Sequence, residues 1–435
     1  MAFTVGFIPK TQAQELSQLP PIEGIDAAEY QIHQLQHKVR ELEVDLAALQ
    51  EAQTPVLDAS VKTTDNWQQA DPSSQPIGLT SFANSILSHN YTIDIGGYVK
   101  TDLIHDFNAI ATTDVFDPLA IPTDGRPGEN TRFHARQTRL NLDFRPDADS
   151  DDLQLFVETD FFGTTDPFRR SRAFLRLRHS YIRAGRLLAG QTWSTFMDES
   201  ILPSTLDFES PRSVILDRRG LLRWTQPVTD SLDLAFALED PRPVFDQASA
   251  PAGGIERPAP DLIGRVRHEA PWGHLQSAGL VRMLRYRQDT AAKDDEMGWG
   301  FNFTGRVNPN ECNSLLFQVA FGEAIESYRQ APDAAVDATG NIEVIPLIAW
   351  VVGYEVDWTD RVASTFVYSA GRGTNTAFQL ANAPKAAEYL AANIRFELRT
   401  RLSCGVEYLY GTRTDLDGSN GEAHRVQFSV RYDIP

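Results

Sequence analysis

Residues 172–220, RAFLRLRHSYIRAGRLLAGQTWSTFMDESILPSTLDFESPRSVILDRRG, read as two amphipathic strands, a two-residue turn and a long loop carrying both charge signs. Alternation places Ala173, Leu175, Leu177 and Tyr181 on one face and Arg172, Phe174, Arg176, Arg178 and Ser180 on the other, as a side-chain period of two requires. One face is apolar and the other cationic. If the apolar face meets lipid and the cationic face meets water, the loop after Trp193 is placed where it can fold into a pore.

The rest of the chain carries the same pattern. From Tyr91 onward, period two predicts sixteen strands, near 92–107, 132–145, 152–162, 172–183, 186–193, 219–226, 231–239, 260–268, 274–286, 297–307, 313–323, 347–358, 361–370, 387–398, 401–410 and 423–434. Most reach the roughly 9 to 11 residues that cross an outer membrane at a tilt. Leu315, Phe317, Val319 and Phe321 alternate with Ser314, Gln318 and Gly322, and Leu390, Ile394, Phe396 and Leu398 oppose Tyr389, Asn393, Arg395 and Glu397. The apolar faces carry almost no charge.

Alternation alone fits a soluble sandwich equally well, so the joints decide. Those after even strands are short, as at 184–185, 227–230, 269–273 and 359–360; those after odd strands are mostly long, as at 108–131, 194–218, 240–257, 324–345, 371–386 and 411–422. Short periplasmic turns alternating with long outer loops mark an all-β transmembrane barrel. An even strand number puts both ends of the barrel on the periplasmic side.

Composition removes other classes. Fifty-nine acids against 40 bases give −19, the wrong sign for nucleic acid. Mean hydropathy is −0.32, and no apolar run approaches the ~20 residues of a membrane helix. Cys312 and Cys404 are too few for a disulfide framework. His33 and His37 stand at i and i+4 without an acidic or cysteine companion, so no metal and no cofactor is expected. The sequence has no GxSxG, P-loop or HExxH motif, which argues against an enzyme.

Ahead of the barrel, residues 1–24 read as a remnant signal or disordered segment. Residues 25–50 form an α-helical coiled coil by heptad, with Ile25, Ile32, Val39 and Leu46 at a and Ala28, Leu35, Leu42 and Leu49 at d. That seam predicts self-association. Residues 51–90, rich in Thr, Ser, Gln, Asp and Pro, are a linker to the barrel of 91–435.

The predicted inner faces hold Lys100, Arg139, Arg176, Arg178, Arg223, Arg265, Arg267, Arg306, Arg395, Arg425 and Arg431, with Asp143, Glu158, Asp160, Glu239, Glu355 and Glu397 among them. A guanidinium stays charged and offers a fork to carboxylate or phosphate, so a ladder of them favours small anions. The candidate constriction loop, 194–217, adds Asp198, Glu199, Asp207, Glu209 and Arg212. The expected function is passive diffusion of small hydrophilic solutes with an anion preference. The alternative is a structural barrel acting as a periplasmic tether through its coiled coil.

Several runs resemble the DcaP-like outer-membrane porins: RLRHSYIRAGRLLAGQTWSTFMD at 176–198, TLDFESPR at 205–212, GGYVKTDLIHDF at 96–107, QTRLNLDF at 137–144 and FVETDFFG at 156–163. The resemblance implies a homotrimeric sixteen-stranded porin in outer-membrane lipid and lipopolysaccharide. It also implies a loop folded into each barrel, a periplasmic coiled coil, and passage of anions such as dicarboxylates. The terminal strand departs from the expected aromatic end: Phe428 and Tyr432 keep the pattern, but Pro435 follows.

Overall fold

The computed structural model describes residues 91–146, 153–163 and 174–434. The predicted N-terminal segment, coiled coil and linker, together with Arg172, Ala173 and Pro435, lie outside the described residues. Among those described, sixteen strands form a closed antiparallel barrel. They are β1 (Thr92–Asp106), β2 (Asn130–His134 and Arg139–Arg145, both paired to β1), β3 (Leu153–Asp160), β4 (Arg176–Ala184), β5 (Leu187–Trp193) and β6 (Arg218–Thr229). The wall continues with β7 (Leu232–Glu239), β8 (Asp261–Ala270, extended by Gly253–Glu256), β9 (Gly273–Gln288), β10 (Lys293–Asn310) and β11 (Asn313–Glu323). It ends with β12 (Pro346–Thr359), β13 (Val362–Gly373), β14 (Pro384–Arg399), β15 (Leu402–Asp415) and β16 (Asn420–Ile434). β16 closes on β1, with Phe428 opposite Leu103, so among the described residues the barrel wall has no open edge strand.

The joints keep the predicted parity. At one end, β4–β5, β6–β7, β8–β9, β10–β11, β12–β13 and β14–β15 are linked by pairs of residues, such as Gly185 and Arg186. Gly185 takes φ 53° and Arg401 takes φ 70° in two of these turns. At the other end, long loops span 107–129, 194–217, 240–252 and 324–345. Two outer joints are short: 289–292, and 416–419 where a loop over 411–422 was expected. There the β15–β16 ladder runs on to Thr414 opposite Asn420. Backbone pairing continues past the apolar band, and side-chain alternation no longer reports it because the outward residues have turned polar.

The alternation of 172–183 also breaks. Glu158 pairs with His179 while Thr159 pairs with Leu177, leaving Arg178 as the extra residue of a β-bulge. The bulge turns the rest of β4 over. Tyr181, expected on the apolar face with Leu175 and Leu177, instead points inward and stacks on Phe156 at 5.4 Å. Ile182 takes the outward position, half exposed.

Outside, the barrel presents Leu140, Leu222, Phe236, Val281, Phe301, Phe321, Val352, Phe366, Ile394 and Phe428, all substantially exposed. Inside, the alternate positions are polar and buried: Asn302, Thr304, Gln318, Ser369, Glu407 and Gln427. This inverts a soluble core and is what lipid outside and water inside demand. Phe301 lies near the middle of β10. Replacing it with Arg is expected to cost about 2–4 kcal/mol of folding free energy in lipid vesicles, while Ser403→Asn on the lumen face costs far less. Urea unfolding in the two variants measures the difference.

Candidate pore site

The loop of 194–217 leaves the wall where β5 and β6 part. Trp193 and Arg218 are the last paired residues, and Ser194 N–H donates to Asp217 O at 3.0 Å to close the base. Backbone groups taken out of bulk water need partners, and the inner wall supplies them. Glu239 accepts from Ser194 Oγ and Thr195 N–H at 2.7 and 2.6 Å. Asn302 and Gln276 donate to the carbonyls of Phe196 and Met197. Farther round, Glu355 accepts from Ser204 N–H at 2.7 Å, and Glu407 accepts from both Leu206 and Asp207 N–H at 2.9 and 2.7 Å. Gln318 binds the returning limb at Ile215 N–H and Ser213 O. The loop is therefore stitched to the inside of the barrel from β7 to β16.

This stitching divides the predicted site residues into two sets. Arg267 pairs at 3.0 Å with Asp198, which also meets His274 and Thr304. Arg306 pairs with Glu355 at 2.8 Å and donates to Ser200 O. Lys100 is buried on Asp102, and its ammonium donates to Leu206 O. Arg212 reaches Gln330 O and approaches Asp117 at 3.5 Å, joining the loop to two outer loops. Arg265 pairs with Asp233 at 2.7 Å, and Arg223 sits half-buried on β6 between outward Leu222 and Trp224. Apart from Arg223, these side chains are engaged with the loop or with the wall.

The second set faces a water-accessible cavity of about 1310 Å³. Arg139, Arg176 and Arg178 line it together with Glu199, Asp207, Glu209, Arg395 and Glu397. Arg178 is 2% exposed and bonds Glu158 at 2.6 Å and Asp160 at 2.8 Å. Arg176 holds Asp160 at 2.7 Å. Arg139 is 3.9 Å from Glu158. Over the whole lining the two charge signs are matched. Glu311, Asp357, Asp360 and Asp433 lie by the short turns with Arg361 and Arg431, whereas Arg139, Arg176, Arg178 and Arg218 gather on the wall beside the inner loop, which itself carries Glu199, Asp207, Glu209 and Asp217.

Residues that the sequence reading missed complete this wall. Phe208, on the loop, puts its ring 5.4–5.5 Å from the guanidinium carbons of Arg139, Arg176 and Arg178. Phe162 stacks on Phe208 at 4.3 Å. Arg218 lies 4.6 Å above Trp193, whose ring also faces Arg178 at 5.8 Å. The loop anchors were missed as well, although their signal was present: Gln276, Asn302, Gln318, Asn393 and Gln427 are amides on inner-face positions of β9, β10, β11, β14 and β16. Amides both donate and accept, which suits them to a foreign backbone.

Charge burial under the loop has a sign. The seat holds Asp102, Asp106, Asp207 and Glu407 against Lys100 and Arg425, with Tyr389 above Asp207 at 3.4 Å and Glu209 nearby on the loop. Burial pushes Asp207 up to about 7, with Arg425 opposing the rise and Glu407 adding to it. Asp198 goes the other way. His274 and Thr304 outweigh its burial and hold it at about 2.

A raised carboxylate binds its proton more tightly when folded, so its stabilisation is lost as pH climbs from about 4 to 7. A depressed one is lost as pH falls from about 4 to 2. Asp207→Asn is therefore expected to raise stability above pH 7 by about 1–3 kcal/mol and to flatten the decline between about pH 4 and 7, read by thermal unfolding in detergent. Asp198→Ala leaves the buried His274 and Thr304 without their shared acceptor and Arg267 with Glu269 alone, and is expected to cost about 1–3 kcal/mol, with noisier open-channel current as the loop loosens.

The sequence profile of the DcaP outer membrane protein family matches residues 65–434. Among solved structures, the chain is similar to the outer membrane channel DcaP of Acinetobacter baumannii, with 23% identity and a TM-score of 0.71 over 79% of this chain and 98% of that one. The anion-selective porin from Comamonas acidovorans aligns at 10% identity and TM-score 0.52, covering 79% and 100%. The trimer form of OmpT from Vibrio cholerae aligns at 14% identity and TM-score 0.51, covering 79% and 99%. No curated protein matches the chain in sequence.

Proposed function

Because the chain belongs to the DcaP outer membrane protein family, we propose that its porin-like barrel is a passive diffusion channel for small hydrophilic solutes that prefers anions, dicarboxylates among them. The observation that carries this reading is the charge on the wall facing the inner loop. Arg139, Arg176, Arg178 and Arg218 gather there with only Glu158 and Asp160 as ion-pair partners among the described residues. Four cations against two anions leave the wall positive where a solute passes the loop. Low-dielectric walls on either side lengthen the reach of that charge.

In this reading the barrel is a homotrimer in outer-membrane lipid and lipopolysaccharide, and the coiled coil of 25–50 extends into the periplasm and strengthens self-association. The inner loop narrows the path, and Glu199 and Glu209 oppose the arginines across it.

Purified protein in planar bilayers under a potassium chloride gradient is expected to give reversal potentials favouring chloride. A preference for potassium would overturn the anion reading and leave the channel. Arg178→Ala exposes Glu158 and Asp160 to the lumen, so the chloride preference is expected to fall. The same variant also loses stability, by about 3–5 kcal/mol, because two buried carboxylates lose a shared partner.

A further inference from the structure

Most arginines inside this barrel are paired with carboxylates; among the described residues Arg218, Arg223 and Arg395 are not, and of these three Arg218 alone is stacked on an aromatic ring. Arg176, Arg178, Arg265, Arg267, Arg306, Arg425 and others each lie within 4.0 Å of a carboxylate. An arginine–carboxylate pair presents a dipole whose field fades within a few ångströms, because the two charges cancel at a distance. Arg218 is held otherwise. Among the described residues no carboxylate comes within ion-pair distance of it, and its guanidinium lies 4.6 Å over the face of Trp193.

The stack follows from the register. Trp193 and Arg218 are cross-strand partners, the last rung of the β5–β6 ladder before the chain departs into the inner loop. Side chains at such a pair have Cβ atoms about 4.5–5.5 Å apart, within reach of a cation–π contact worth about 0.5–2 kcal/mol. Trp193 is itself fixed by the edge of the His179 ring at 5.3 Å and by packing against the loop. The backbone carbonyl of Arg218 accepts from Arg242 Nη1 at 3.1 Å, holding the strand start. An aromatic face orients a guanidinium without cancelling its charge, so the full charge is left for solute.

We infer that Arg218, positioned on Trp193, is a specificity-determining residue of this channel, a group that offers a charge not tied into an ion pair to a carboxylate or phosphate as it passes the inner loop. The inference rests on the anion reading above and assigns it to a residue outside the set predicted from sequence. Trp193 is the positioning residue. It touches the guanidinium and carries no charge, so its effect on selectivity separates placement of the cation from its presence.

The test is reversal potential in planar bilayers, with single-channel conductance recorded alongside to monitor pore size. Arg218→Gln is expected to lower the chloride-to-potassium permeability ratio roughly threefold or more, as removal of a unit charge near the ion path implies. Trp193→Leu leaves net charge unchanged and is expected to lower the ratio as the cation swings free, and Trp193→Phe is expected to restore it. Migration of the folded form in unboiled gels shows that each variant has a closed barrel. If wild-type protein prefers potassium, the anion reading itself fails. If wild type prefers chloride and Arg218→Gln retains the wild-type ratio, the anion reading stands and the role of Arg218 is overturned. If Arg218→Gln lowers the ratio but Trp193→Leu does not, the positioning role of Trp193 is overturned.

Discussion

A peptide segment can run through the inside of a barrel only if the wall satisfies its backbone. Water cannot do so where the chain is pressed against protein, and each orphaned amide costs on the order of 1–3 kcal/mol. The wall here answers with a carboxylate where the loop presents N–H groups and an amide where it presents carbonyls. Glu407 takes two consecutive N–H groups, from Leu206 and Asp207, while Gln427 and Lys100 take the Leu206 carbonyl. Everything else about the lumen depends on this fit. The loop's position decides which arginines become anchors and which face solute, and it carries Phe208 into the midst of the latter.

The same constraint explains an acidic chain with a cationic wall. Carboxylates are the natural receivers for loop N–H groups, so the strands beneath the loop accumulate them: Glu239, Glu355 and Glu407 each bind loop backbone. Several cations on those strands are then spent holding the acids in place, Arg306 on Glu355 being the clearest case. β2 to β6 are free of that duty. Arg139, Arg176 and Arg178 there meet only Glu158 and Asp160, and with Arg218 beside them the positive excess collects at that wall.

Much of the barrel was legible because lipid imposes a strict rule on alternate residues and the two ends of the barrel differ in joint length. What failed did so for local physical reasons. A bulge inserts Arg178 and reverses the faces after it, and no pattern of residue types distinguishes RLRHSY with a bulge from RLRHSY without one. Strands β15 and β16 outlast their apolar band, so their ends are invisible to hydropathy although the ladder persists. The inner-face arginines were readable as a class, but their duties were not. Whether Arg267 meets solute or Asp198 depends on a loop 69 residues away in sequence.

Arg218 shows why the decisive charge is the hardest to read. A sequence reports that an arginine is present, and inner-face periodicity reports where it points, but the field it exerts depends on what lies within 4 Å. Arg218 and Arg219 are neighbours of identical type at the start of one strand. Arg219 is fully buried between Asp217 at 2.7 Å and Asp261 at 3.0 Å, under the ring of Tyr328. Its charge is consumed in tying two loops to the wall. Arg218, one position earlier, meets an indole instead of acids and keeps its charge for the lumen. The contrast comes from the β5–β6 register, which sets Thr192 opposite one arginine and Trp193 opposite the other.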